Sequence, residues 1–129
     1  MELSGIIQSG AGKGAFFTQI DWVVNQCENK LGYKPFPGTL NIHVIESDRA
    51  KLDALFQHTD FELIPDDPKF CAARVRKVSV NGIPGAVVLP SEDVRIHSTD
   101  VIEVVASCAL KKTLGLADGD KVKVAWKQE

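Results

Sequence analysis

The chain has 129 residues, 44% hydrophobic and 25% charged, with 15 Lys and Arg against 17 Asp and Glu for a formal net charge of −2. This composition excludes a disordered, collagen-like or disulfide-stapled chain and predicts one domain over residues 1–129, long enough to bury roughly two-thirds of its unfolded surface. It carries none of the basic excess that marks nucleic-acid binders, so a nucleic-acid partner would need a local patch.

Met1-Glu2-Leu3-Ser4-Gly5 has neither the basic start nor the apolar run of a signal peptide. Residues 3–9 read as a short strand that stops at a glycine loop, Gly10-Ala11-Gly12-Lys13-Gly14. Phe16 and Phe17 resume the chain, and Thr18 stands in an N-cap position with Asp21 three residues on. Ile20, Val23, Val24, Cys27 and Leu31 form one apolar stripe, which predicts a helix over about 18–31 packed outside a sheet and closed by Gly32. Tyr33 to Gly38 is a connector stiffened by Pro35 and Pro37. It delivers a strand with Leu40, Ile42 and Val44 on one face and Thr39, Asn41 and His43 on the other.

Residues 48–56 predict a short helix with Leu52, Leu55 and Phe56 inward, and Phe61 to Ile64 a strand before the Pro65–Pro68 loop. Residues 70–80 change face near Arg76-Lys77, as a bulged strand would. Asn81-Gly82 is a hairpin signal, and Pro84 and Gly85 predict that the return strand starts irregularly or at an edge. Val101 to Ala106 is a further strand, Leu110 to Leu114 a helical turn closed by Gly115, and Asp118-Gly119-Asp120 a turn into alternating Val122, Val124 and Trp126. Six or seven short strands without a repeating strand-helix-strand unit predict a closed or nearly closed barrel with inserted helices, not a parallel sheet. No apolar run approaches the ~20 residues of a membrane span. Cys27, Cys71 and Cys108 are odd in number and far apart, and read as reduced thiols of a cytoplasmic protein, not a zinc site.

Four segments offer chemistry. Glycines free backbone N–H groups to approach phosphate oxygens, yet Gly14 stands where a Walker loop has Ser or Thr, and the G-x-G-x-x-A match ending at Ala15 lacks its Rossmann context. A nucleotide loop and a plain hairpin loop both fit. Thr39 and Asn41, two apart on one strand face, can aim two oxygens at a hard cation such as magnesium, or simply form a polar face. Glu103 is a carboxylate inside an apolar strand, either solvated or held for a ligand. Cys108 to Lys112 brings two lysines to a helical turn, suited to an anion or to a plain surface turn. His43, His58 and His97 show no ligand spacing.

The order of these motifs is more specific than any one of them. A glycine loop with paired aromatics, LGYKPFPGTLNI at 31–42, HSTDVIEVVAS at 97–107 and LGLADGDKVKV at 114–124 together resemble the CTP-dependent riboflavin kinases known chiefly from archaea, almost end to end. PGTLN is the most family-specific element, whereas the DGD ending is shared more widely among cradle-loop barrels. The resemblance implies a mainly β fold, a six-stranded cradle-loop (RIFT-related) barrel with one or two short peripheral helices. It also implies magnesium-dependent phosphoryl transfer from CTP to riboflavin, giving FMN and CDP.

The same resemblance places the nucleotide on Gly10, Ala11, Gly12, Lys13, Gly14 and Ala15 and on Cys108, Ala109, Leu110 and Lys111. Magnesium falls on Thr39 and Asn41, and the flavin on Glu103 and on Arg95, where the family has threonine. Glu103 is the one plausible carboxylate to orient the acceptor or act as base. Ser107 replaces a family proline, Lys111 a family arginine, and Arg95 adds bulk and fixed charge beside the acceptor. These departures keep a second reading open, a nucleotide- or flavin-binding module without turnover. A third is a swapped-hairpin DNA-binding barrel, which the 114–124 ending suits and the net charge of −2 opposes.

Overall fold

A computed structural model describes residues 1–10, 13–69, 72–90 and 100–127; among them are seven β-strands and four short α-helices. In chain order these are β1 (Glu2–Gln8), α1 (Lys13–Phe17), α2 (Asp21–Leu31), β2 (Leu40–Val44), α3 (Lys51–Gln57), β3 (Phe61–Leu63), β4 (Ala73–Val80), β5 (Ile83–Pro90), β6 (Val101–Val105), α4 (Leu110–Leu114) and β7 (Lys121–Ala125). Six strands close into an antiparallel barrel in the order β4-β5-β6-β2-β1-β7, with β7 returning to β4 and β3 added on the outside of that ring to β4. The strand pattern predicts a closed barrel of six or seven strands, and the family resemblance implies the six that form this ring.

Period-two alternation builds the interior. Leu3 and Ile7 of β1, Ile42 and Val44 of β2, Val80 of β4 and Val124 of β7 are all buried to within 1% exposure in one cluster. Leu52, Leu55 and Phe56 of α3 join that cluster, at the end of β2 away from Thr39. A second cluster lies outside the barrel wall, where Trp22, Val23 and Cys27 of α2 cover Ala73 and Val75 of β4, Ala86 of β5 and Val105 of β6. The helix therefore packs outside the sheet as its apolar stripe predicts. Trp22 belongs to the buried face, and its ring meets Phe17 edge-on at 6.3 Å.

Three local readings change. The shift of face in β4 is not a bulge, because its ladder to β5 runs without a skip from Ala73–Pro90 to Val80–Ile83. Instead both faces are buried in turn, Val75 beneath α2 and Val78 inside the barrel. Thr18 does not cap α2: the helix begins at Asp21 with Ile20 as N-cap. The Thr18 hydroxyl, on a buried residue, instead accepts the Gly38 N–H at 2.8 Å and donates to the Ala15 carbonyl at 3.3 Å. Finally, the second half of the glycine stretch is helical, since Lys13 to Phe17 form α1. Other signals hold: Asn81 and Gly82 take φ of 46° and 88° at the β4–β5 hairpin, and Pro84 sits where β5 has not yet met β6.

Candidate active site

Because Leu40, Ile42 and Val44 point into the barrel, Asn41 and His43 are left on the outer wall. The ladders set Asn41 opposite Gln8 of β1 and opposite Glu103 of β6, so three polar residues form one row across three strands. Thr39, one residue before β2, donates its hydroxyl to Glu103 Oε1 at 3.0 Å. The backbone of Gly10 lies against the Asn41 carboxamide so closely that a Cβ there would sit 2.2 Å from Nδ2 and 3.3 Å from Oδ1. Thr39, Asn41, Glu103 and the start of the glycine loop are thus gathered by strand adjacency, across 64 residues in the case of Thr39 and Glu103.

The donor chemistry of Thr39, Asn41 and Glu103 is a hydroxyl, a carboxamide oxygen and one carboxylate. Such hard oxygens suit magnesium, which keeps several waters and takes phosphate oxygens from a substrate. Among the described residues no group of three or more His, Cys, Asp and Glu could hold a metal ion. A cation here would therefore lean on substrate phosphates for part of its shell.

A cavity of about 160 Å³ is lined by Thr39, which alone of these residues borders it. One wall is the connector from Phe36 to Leu40, the other is Cys108 to Lys111, and Val104 and Ala106 form the floor. The connector is held in place by Phe36 N–H donating to the Ala106 carbonyl at 2.8 Å and by the Gly38–Thr18 bond. Phe36 keeps 46% of its surface exposed at the rim, a flat apolar ring available to a ligand. A second cavity, of about 510 Å³, lies at the β4–β7 seam beside Arg76 and Trp126 and contains none of the residues predicted for the site.

Lys111 lines the first cavity, and its ammonium lies 2.9 Å from Asp118 Oδ1. The other carboxylate oxygen, Oδ2, accepts the hydroxyl of Ser9. Those two bonds, Lys111 first and Ser9 second, hold the Asp118 carboxyl below the usual carboxylate range. Cys108 is half-buried in the cavity wall, while Cys27 is enclosed beneath α2, where burial pushes its thiol up to about 11. Burial likewise pushes the Tyr33 phenol up to about 12, with Cys27 and Cys108 adding to the rise.

Of the residues singled out from sequence, Gly10, Thr39, Asn41 and Glu103 meet in one row on the outer wall, and Thr39 with the segment Cys108–Lys111 lines the cavity. Lys13, Gly14 and Ala15 belong to α1, and the Ala15 carbonyl accepts the Gln19 side-chain amide at 2.7 Å. Ala11, Gly12 and Arg95 lie outside the described residues, as does Cys71. Sequence reasoning missed Ser9, Gln8, Phe36 and Asp118. Asp118 carried a signal, an acid in the turn that returns to the glycine loop, but it read as turn chemistry alone.

Comparison with known proteins adds an independent line. The family model CTP-dep_RFKase, described as "Domain of unknown function DUF120", matches residues 7–125. A curated protein of Pyrobaculum arsenaticum named riboflavin kinase is 40% identical over 131 residues, covering 96% of this chain and 60% of that protein. One of Methanoculleus marisnigri with the same name is 38% identical over 127 residues, 95% of this chain and 55% of that protein. One of Methanobrevibacter smithii, also named riboflavin kinase, is 32% identical over 125 residues, 96% of this chain and 98% of that protein. The chain thus spans about 60% of the length of its Pyrobaculum relative and nearly all of the Methanobrevibacter one.

Proposed function

As this chain belongs to the CTP-dependent riboflavin kinase family, we propose that it transfers the γ-phosphoryl group of CTP to a ribityl hydroxyl of riboflavin, releasing FMN and CDP. The observation that carries the reading is the oxygen row Thr39–Asn41–Glu103, set against Gly10, with Thr39 at its end lining the cavity walled by Cys108–Lys111. Phosphoryl transfer asks a protein mainly for positioning and charge neutralisation. This site has the parts for both.

Thr39 and Asn41 are the residues that would hold magnesium, with Glu103 beside them. When bound, magnesium neutralises charge on the donor phosphates. Gly10 fixes the Asn41 carboxamide by lying on it, and Thr39 fixes the Glu103 carboxylate by donating to Oε1. Glu103 Oε2 is then the atom to accept the proton of the acceptor hydroxyl, or to orient that hydroxyl toward the γ-phosphorus. Lys111 brings a cation to the cavity wall for the donor phosphates. The connector and Phe36 enclose the other side.

The test is direct. Incubation of the purified protein with riboflavin, magnesium and each of CTP, UTP, ATP and GTP, with FMN separated chromatographically, should give FMN with CTP and none after EDTA. CTP binding without FMN would leave the binding-module reading standing. FMN formation from ATP alone would overturn the donor assignment.

A further inference from the structure

The carboxylate of Asp118 bridges two parts of the proposed donor site that are 102 residues apart, Ser9 at the start of the glycine loop and Lys111 in the cavity wall. We propose that Asp118 is a positioning residue for the donor phosphates, acting through Lys111 and Ser9 without touching the nucleotide. The inference rests on the donor-site reading above and extends it to a residue outside the site predicted from sequence.

The mounting of Asp118 is what distinguishes it from an ordinary surface acid. Its turn is tied to β1 on both sides, Gly119 N–H donating to the Ile7 carbonyl at 2.8 Å and Ile7 N–H to the Asp120 carbonyl at 2.9 Å. Within the turn, Asp120 accepts the Ala117 N–H at 2.8 Å, and Leu116 N–H reaches back to the Lys111 carbonyl at 2.9 Å. The carboxylate therefore projects from a fixed platform. Lysine, by contrast, carries its charge on a flexible stem that would otherwise sample solvent. Holding one ammonium hydrogen at Asp118 leaves two for phosphate oxygens. The Ser9 bond acts on the loop: Ser9 precedes Gly10, whose backbone rests on the Asn41 carboxamide. One carboxylate thereby sets the distance between the lysine, the loop and the metal-facing amide.

The side chains of Lys111 and Asp118 are 44% and 45% exposed, so the effect is modest in size and its signature is coupling. By calorimetry with CTP, Asp118→Ala should weaken binding about three- to fivefold and Lys111→Met by a similar factor. The double variant should be weaker than Lys111→Met by clearly less than the factor Asp118→Ala costs on its own, because one arm of Asp118 works through that lysine and only the Ser9 arm remains to be lost. Asp118→Glu should recover part of the loss, and steady-state kinetics should place the change in KM for CTP more than in kcat. Equal affinity for CTP in wild type and Asp118→Ala overturns the proposal and leaves the donor reading intact. So does tighter binding by Asp118→Ala, since Asp118 would then be a charge competing with phosphate, and so does full additivity in the double variant. The predicted coupling without any FMN formation supports the positioning role and overturns riboflavin as acceptor. Absence of CTP binding in the wild type overturns both.

Discussion

Two glycines of this chain face the same substitution with opposite consequences, and the pair makes a controlled test of where the site is. A Cβ built on Gly10 meets the tip of Asn41, 2.2 Å from Nδ2 and 3.0 Å from Cγ. A Cβ built on Gly5 meets Ile42 Cγ2 at 2.3 Å and the His43 carbonyl oxygen at 2.9 Å. Neither glycine uses positive φ, so alanine imposes no backbone strain at either position. The Asn41 carboxamide can swing aside at an off-rotamer cost of about 1 kcal/mol, whereas Ile42 is fully buried and the His43 carbonyl is backbone. Gly5→Ala should therefore cost about 3 kcal/mol by overpacking. For a domain of this size each kcal/mol corresponds to roughly 3–6 °C in Tm, so Gly10→Ala should melt roughly 3–6 °C and Gly5→Ala roughly 9–18 °C below wild type. Activity should divide the other way. Gly10→Ala turns the Asn41 oxygen out of the row and should lower magnesium-dependent FMN formation about 10- to 100-fold, as loss of an orienting neighbour does at metal sites. Circular-dichroism melts and an FMN assay at saturating magnesium read both quantities. Full turnover in Gly10→Ala, or coincident melting of the two variants, would refute the reasoning.

Thr39→Val and Asn41→Leu, both on the outer wall, should keep Tm within a few degrees and lose magnesium-dependent activity, and Glu103→Gln should preserve a Thr39 acceptor while lowering kcat about 10²-fold, read by FMN formation. Arg76 is 5% exposed and donates to the carbonyls of His58 and Lys127, so Arg76→Met should lower stability by about 2–4 kcal/mol in urea melts with kcat unchanged, since both carbonyls lose their donor far from the oxygen row. Burial raises the Cys27 pKa from 9.0 to about 11, so the folded chain favours the protonated thiol. That contribution is fully present below pH 9 and is lost as pH rises toward 11; Tm measured from pH 8 to 11 should fall less steeply in Cys27→Ala than in wild type. At pH 8 a maleimide should label Cys108 well before the enclosed Cys27.

The barrel was legible because its strands alternate with period two and its turns carry the residues that turns need, as at Asn81-Gly82 and Gly115. Where both faces of a strand are covered that signal fails, which is why Val75 and Val78 in β4 imitate a bulge. Thr18 illustrates a different limit. A hydroxyl before an apolar stripe satisfies the rule for a cap, but here it is drawn to the Gly38 N–H, twenty residues away, a partner that only tertiary structure supplies. In the site, Thr39 and Asn41 were visible as one strand face, and Glu103 as a misplaced carboxylate. Their meeting depends on β2 lying beside β6, a pairing that local pattern does not encode. Asp118 stayed hidden for the same reason: its partners Ser9 and Lys111 become neighbours only when β7 returns alongside β1.

The seam that closes the ring has a consequence for motion. Between β4 and β7 the backbone ladder joins only Ser79 with Ala125 and Val80 with Val124. Beyond them the joint is closed at one end by Asn81, whose backbone N–H donates to the Lys123 carbonyl at 2.9 Å while its carboxamide oxygen accepts the Lys123 N–H at 2.8 Å, and at the other by the Arg76 side chain holding the Lys127 carbonyl. The ring behaves as a band with a clasp, and thermal breathing concentrates where a clasp can part. Going round the circle, that joint is diametrically across from the β2–β6 junction. Amide protons beside the clasp should exchange with deuterated solvent well before those between β2 and β6, so the wall bearing Asn41 and Glu103 keeps its spacing while the far wall yields.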